Sequence, residues 1–219
     1  SSDLVHHTGN TAGANLLRGA AHAFDDWRQA QGLPRLQQDQ PLYRPGVEVA
    51  CTPGEVVFRN HLVELIQYAP ATDVVQAAPV FIVPSWIMKY YILDLRPEHS
   101  LVRWLVGQGH TVFILSWKNP DRSDAGIGLN DYLQWGVFDS LARIRELVPD
   151  HPVHACGYCL GGTLLSMAAA ALARPQQVAS APQQAPLASV TLLASETDFT
   201  EPGEMGDRKS TRLNSSHDQ

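Results

Sequence analysis

From residue 79 onward, short apolar runs that barely alternate with polar residues take turns with longer stretches whose apolar residues recur every three or four positions. Residues 79–83 and 111–116 are rich in Val, Ile and Phe, the composition of strands covered on both faces, as the strands of a parallel sheet are. Between them, residues 99–108 place Leu101, Val102, Leu105 and Val106 at helical spacing and run into Gly107 and Gly109, which suit a helix C-terminus. Residues 130–148 repeat the device, with Asn130 as the expected N-cap and Leu133, Val137, Leu141, Ile144 and Val148 as one stripe. Residues 153–157 read as the next strand, 162–173 as the next helix and 189–194 as a further strand. Strand and helix in strict alternation are accommodated most economically by a mostly parallel sheet with helices on its faces, an α/β fold.

Ahead of this region, residues 12–30 carry Leu16, Leu17, Ala20, Ala21, Phe24 and Trp27 on one face of an amphipathic helix that should dock on something. A polar, proline-bearing stretch leads to the turn signal Thr52-Pro53-Gly54, and residues 55–58 and 63–68 then fit a hairpin. Residues 176–188, rich in Ala and Gln, read as a surface connection, and there is no internal repeat. Residues 207–219 lack apolar periodicity and read like the translation of a sequencing-library adapter, so they are expected to be foreign to the fold. The expected divisions are therefore 1–50, a helical and loop region; 51–206, a partial α/β domain; and 207–219, a non-native tail.

Composition narrows the function classes. The chain has 219 residues, 44% hydrophobic and 17% charged, which excludes a disordered acidic tail, a collagen-like rod and a coiled coil. Sixteen basic residues against twenty-two acidic ones leave a net charge of −6, which offers no electrostatic footprint for nucleic acid. No apolar run approaches the roughly 18–20 residues that span a bilayer, and no secretory signal opens the chain. Three cysteines, Cys51, Cys156 and Cys159, are an odd count that argues against a disulfide scaffold and for a reducing cytoplasm.

The chemistry concentrates in His154-Ala155-Cys156-Gly157-Tyr158-Cys159-Leu160-Gly161-Gly162-Thr163. Read as Gly-x-nucleophile-x-Gly, it sets Cys159 between Gly157 and Gly161, after an apolar strand and before a helix of small residues, which is the context of a nucleophile elbow. Such a turn strains its central residue and leaves no room for side chains two positions away, hence the flanking glycines, to which Gly162 adds a third. The Cys159 sulfur would face unpaired helix amides and the macrodipole, which favour negative charge. The Leu160 N–H would meet a developing oxyanion. A second oxyanion amide is expected after the first buried strand, at Ile87 in the segment Pro84-Ser85-Trp86-Ile87-Met88-Lys89. Trp86, Tyr90 and Tyr91 suit core packing and substrate contact equally. Three other readings remain open: Cys159 as a small buried hydrophobe, Cys156-Gly157-Tyr158-Cys159 as a redox C-x-x-C, and a zinc site, for which no second ligand pair appears. Cys156 itself reads as a strand residue facing the core.

Thr52-Pro53-Gly54-x-Val56-Val57-Phe58-Arg59-Asn60, Leu65-Ile66-Gln67-Tyr68-Ala69-Pro70, Pro84-x-Trp86-Ile87-x-Lys89-Tyr90-Tyr91-Ile92-Leu93-Asp94-Leu95, Ser116-Trp117-Lys118-Asn119-Pro120 and Gly157-Tyr158-Cys159-Leu160-Gly161-Gly162-Thr163 together resemble the polyhydroxyalkanoate synthases, single-subunit type. The resemblance runs from about residue 13 to residue 206. It implies an α/β-hydrolase fold, incomplete here, in an acyltransferase that polymerises 3-hydroxyacyl-coenzyme A and releases coenzyme A. It also implies a homodimer in the intact protein, the surface of cytoplasmic polyester granules as workplace, no metal, and no cofactor beyond the coenzyme A of the substrate. Cys159 matches the family nucleophile, while the family's histidine and aspartate lie downstream of the matched segment, so the chain alone is expected to be inactive. A sheet that ends near Ala194 would leave an unpaired edge and an exposed core face, so it is also expected to be poorly soluble. Asp198 matches a different family segment and is expected to be structural, as are His110 and His154. Ser85 and Met88 stand where the family usually shows proline and asparagine. Two rivals share the same residues: a thioesterase or depolymerase using the same elbow, and a non-catalytic granule-binding fragment acting through residues 12–30.

Overall fold

The computed structural model describes residues 14–33, 43–174, 187–198 and 200. It divides into two units, Ser1–Tyr43 and Arg44–Gln219. Within the first, helix α1 (Ala14–Ala30) stacks the rings of Phe24 and Trp27 at 5.8 Å, and both side chains are exposed. The expected tail at 207–219 lies outside the described residues.

The second unit opens with a hairpin of β1 (Gly54–Arg59) and β2 (Val63–Tyr68). The chain continues through β3 (Gln76–Val83), a small hairpin of β4 (Asp94–Arg96) and β5 (His99–Ser100), and α2 (Leu101–Gly107) to β6 (His110–Trp117). Next come α3 (Leu129–Asp131), a π-helical stretch (Tyr132–Phe138), α4 (Asp139–Leu147), β7 (His154–Tyr158), α5 (Leu160–Leu172) and β8 (Ser189–Leu193). The sheet order is β1-β2-β6-β3-β7-β8, antiparallel across β1, β2 and β6 and parallel from β6 to β8. This is the mostly parallel sheet with helices on both faces that the sequence pattern predicts. At the described edge, Val190 and Leu192 of β8 are about two-fifths exposed, at 39% and 41%.

The pleat assigns side chains to the two faces. Phe81, Val83, Phe113 and Leu115 turn to the face covered by Val137, Leu141 and Ile144 and by Leu164, Leu165 and Ala168 of α5. Their neighbours Ile82, Val112 and Ile114 turn to the other face, where Val102 and Val106 of α2 cover them. Burying both faces explains why these strands read as continuous apolar runs.

Helix boundaries follow caps more than apolar periodicity. Ser100 accepts the Arg103 N–H at 2.8 Å, so α2 starts at Leu101 and His99 belongs to β5 instead of the helix. Helix α3 starts at Leu129, where the Asp131 carboxylate accepts the Gly128 N–H at 2.8 Å, so Asp131 and not Asn130 supplies the capping bond. Helix α5 starts two residues before the expected Gly162, at Leu160. Among the described residues, no helix is long and apolar enough to cross a membrane.

Two buried carboxylates tie the loops to the sheet. Asp94 accepts from the Thr52 hydroxyl (2.6 Å), the Thr52 N–H (3.2 Å) and the Ser100 hydroxyl (2.6 Å). Asp124 accepts from Lys118 Nζ (2.8 Å) and the Asp121 N–H (2.8 Å) and pairs with His61 Nε2 (2.7 Å), which joins the β1–β2 turn to the loop after β6. These partners, the Lys118 hydrogen bond first, hold the Asp124 carboxyl well below the usual carboxylate range. A carboxyl depressed on folding contributes stability that is complete above its unfolded pKa, about 3.9, and is lost as the pH falls toward its folded value. Urea midpoints measured from about pH 5 to about pH 2 should therefore decline more steeply for the unsubstituted protein than for Asp124→Asn. Equal slopes would show that this carboxylate is not coupled to folding.

Candidate active site

The connection after β3 leads to α2 on one face, whereas the connection after the adjacent strand β7 leads to α5 on the other. Where neighbouring parallel strands send their chains to opposite faces, a crevice opens at their carboxyl ends, and such crevices hold ligands in open α/β sheets. The two segments that flank this crevice are residues 84–87, after β3, and the Tyr158-Cys159-Leu160 turn, after β7.

Cys159 stands between strand and helix with φ 55° and ψ −127°, left-handed backbone that a residue with a Cβ seldom adopts. It is held there from three sides. Its N–H donates to the Leu193 carbonyl at 2.9 Å, and its own carbonyl accepts the Gly162 and Thr163 N–H groups at 2.9 and 3.3 Å. The three glycines explain the tightness of the turn. A Cβ on Gly157 would overlap Gly162, one on Gly161 would overlap the Val83 and Pro84 carbonyls, and one on Gly162 would overlap Ser195. The loop after β8 completes the enclosure, with the Thr163 hydroxyl donating to the Glu196 carbonyl at 2.7 Å and Ser195 Oγ donating to the Leu193 carbonyl at 3.0 Å.

The Cys159 thiol is half-buried, and among the described residues no side chain is hydrogen-bonded to its sulfur. As the first residue of α5, Leu160 has an N–H with no carbonyl one helical turn before it, so this donor faces the elbow unpaired. Ile87 lies within the turn closed by Met88 N–H donating to the Ser85 carbonyl at 3.2 Å; its side chain is 69% exposed, and its own N–H bonds to no described residue. Trp86 packs toward the core and against Tyr132, with ring centroids 5.4 Å apart, while Tyr90 meets Tyr91 edge-on at 5.4 Å.

The remaining titratable candidates stand elsewhere. His110 and His154 are the first residues of β6 and β7, at the amino ends of the parallel strands and about 15 Å from the elbow by strand rise. His154 Nδ1 is within hydrogen-bond distance of the Ser189 hydroxyl, at 2.9 Å. A histidine–carboxylate pair does exist at the carboxyl end of the sheet, His61 with Asp124. Strand β2, which follows His61, is three strand spacings from β7, about 14 Å, so that pair cannot serve Cys159. Asp198 turns its carboxylate onto Thr200, accepting the N–H at 3.0 Å and the hydroxyl at 2.7 Å. Burial pushes the Cys156 thiol up, opposite to what an attacking redox cysteine needs, and its side chain packs with Ile82 and Ile114 on the α2 face. Among the described residues, no three His, Cys, Asp or Glu side chains gather as a metal cluster.

Comparison with known proteins agrees with the fold. Residues 1–105 match the family model described as the N-terminus of poly-beta-hydroxybutyrate polymerase (PhaC), and residues 78–214 match the α/β-hydrolase fold model. The chain is 41% identical over 204 residues to a poly(3-hydroxyalkanoate) polymerase of Methylorubrum extorquens, covering 93% of this chain and 33% of that protein. It is 41% identical over 193 residues to the poly(3-hydroxyalkanoate) polymerase subunit PhaC of Cupriavidus necator, covering 88% of this chain and 31% of that one. The chain thus spans about a third of the length of these relatives. Among solved structures, esterase B from Lactobacillus rhamnosis superposes with a TM-score of 0.51 at 19% identity, over 93% of this chain and 63% of that one, a likeness of fold.

The glycine contacts set up a paired test of the elbow. Gly161→Ala drives a methyl into the backbone of residues 83 and 84, which cannot rotate away, and should cost about 3 kcal/mol or more by urea denaturation. Gly107→Ala, whose added methyl meets open space, should change stability by less than about 1 kcal/mol.

Proposed function

Because the chain belongs to the α/β-hydrolase family, within which its relatives are the poly(3-hydroxyalkanoate) polymerases, we propose that the intact protein is an acyltransferase that polymerises 3-hydroxyacyl-coenzyme A through a covalent thioester on Cys159. The observation that carries the proposal is the strained Cys159 at the switch-point end of β7, beside the free first amides of α5. In this reading the Cys159 sulfur attacks the thioester carbonyl of the substrate. The negative charge that develops on the carbonyl oxygen is met by the N–H groups of Leu160 and Ile87. The bond from carbon to Cys159 sulfur forms, the bond to coenzyme A sulfur breaks, and the thiol proton leaves on the departing coenzyme A. One thioester replaces another, so acyl transfer is nearly isoenergetic.

The 3-hydroxyl of a second acyl group then attacks the acyl-enzyme. An ester bond forms, the Cys159 thiol is restored, and a general base carries the proton between the two oxygen and sulfur centres. The base in this proposal is a histidine oriented by an aspartate, neither of them among the described residues at the elbow. The proposal also takes in what family membership suggests for the intact protein: a homodimer at the surface of cytoplasmic polyester granules, with coenzyme A as part of the substrate and no separate cofactor.

The test is product analysis with the intact protein and 3-hydroxybutyryl-coenzyme A. Coenzyme A release accompanied by polyester is expected, with loss of about a thousandfold or more in Cys159→Ala and retention in Cys156→Ala. Free 3-hydroxy acid without polymer would instead identify a thioesterase with the same elbow. Turnover that survives Cys159→Ala would overturn the nucleophile assignment itself.

A further inference from the structure

Trp117, the last residue of β6, is buried, and its indole N–H donates to the Pro84 carbonyl at 2.8 Å. That carbonyl is doubly confined, because its other side presses on the first turn of α5, where Gly161 leaves no space for a Cβ. The Pro84 carbonyl therefore sits between the indole of β6 and the helix that carries Cys159. Three residues later comes Ile87.

The indole is itself fixed. Its ring lies 5.3 Å from that of Tyr132, which in turn lies 5.4 Å from Trp86 in the same loop as Pro84. A Cβ on Gly136 would overlap the Trp117 ring, so this glycine is the floor on which the indole rests. Tyr132 and Gly136 both belong to the π-helical stretch, a local unwinding that costs stability and tends to mark functional positions. A second tether holds the far end of the loop, where Lys89 Nζ donates to Asn119 Oδ1 at 3.0 Å in the segment just after Trp117. Residues 84–89 are thus fastened at both ends to β6 and the chain that follows it.

We propose that Trp117 is a positioning residue for acyl transfer: by fixing the Pro84 carbonyl against the first turn of α5, it sets the separation between the Ile87 and Leu160 amides. The inference rests on the reading of Cys159 as an acyl-accepting nucleophile. An oxyanion hole works because its donors are already aimed before charge develops, so a loop free to drift loses transition-state stabilisation without losing the nucleophile.

Two reactions of the same sulfur separate this role from a merely structural one. Acyl transfer from 3-hydroxybutyryl-coenzyme A passes through an oxyanion, whereas alkylation by iodoacetamide does not. Both are followed on the intact protein by mass spectrometry of the peptide bearing Cys159. Trp117→Phe, which keeps an aromatic ring but removes the donor, should slow acylation by about tenfold, less than the loss of an oxyanion donor itself, while alkylation changes by less than about twofold. If Trp117→Phe fails to fold, Tyr132→Leu loosens the ring with its N–H intact and should lower the same ratio by about threefold. A ratio left unchanged, whether both rates hold or both fall together, overturns the inference. Absence of acylation in the unsubstituted intact protein alongside normal alkylation would sink the nucleophile reading, and the inference with it.

Discussion

The first turn of α5 lies directly against the ends of two strands and against the Ser195 side chain of the loop after β8. Gly157 meets Gly162, Gly161 meets the backbone of residues 83 and 84, and Gly162 meets Ser195. The first two contacts are backbone on backbone and leave nothing that can rotate to relieve a misfit, while the third is to the Ser195 side chain. The left-handed conformation of Cys159 is a consequence of this enclosure, since its N–H is committed to Leu193 and its carbonyl to the amides of α5. The strain at one residue is thus offset by the packing of several others.

What the contact achieves chemically depends on the sheet order. With β3 beside β7 and their connections on opposite faces, the carboxyl ends of these strands border one crevice. One border supplies the sulfur and the first helix amides, and the other supplies the loop from Pro84 to Lys89. The indole of Trp117 and the amide of Asn119 reach that loop from β6, on the far side of β3. Three strands therefore contribute to the candidate site, although Cys159 follows only one of them. The buried carboxylates Asp94 and Asp124 act at longer range, binding the chain before β1, the β1–β2 turn and the loop after β6 to the scaffold.

How much of this was legible beforehand depended on whether the cause was local. Strands β3 and β6 were legible because burial on both faces writes itself as a run of Val, Ile and Phe. The elbow was legible because three glycines around one cysteine, between a strand and a helix, have few other uses. The helix expected to be capped by Asn130 starts at Leu129 instead, because the Asp131 carboxylate reaches back to the Gly128 N–H, a bond that only the backbone path makes. Gly136 has no local reason in the sequence; its reason is an indole arriving from a strand nineteen positions earlier. The pairing of His61 with Asp124, across 63 positions, likewise left no local trace.

The sequence by itself determined the alternation of strands and helices, the two-sided burial of the sheet and the residue at the apex of the elbow, because periodicity and glycine placement act over a few neighbouring residues. The tertiary structure alone decided which strands lie side by side, and so which loop faces Cys159, which carbonyl Trp117 holds and which histidines stand out of reach. Those outcomes turn on contacts between residues far apart in the chain, and such contacts exist only once loop closure has brought the ends of the strands together.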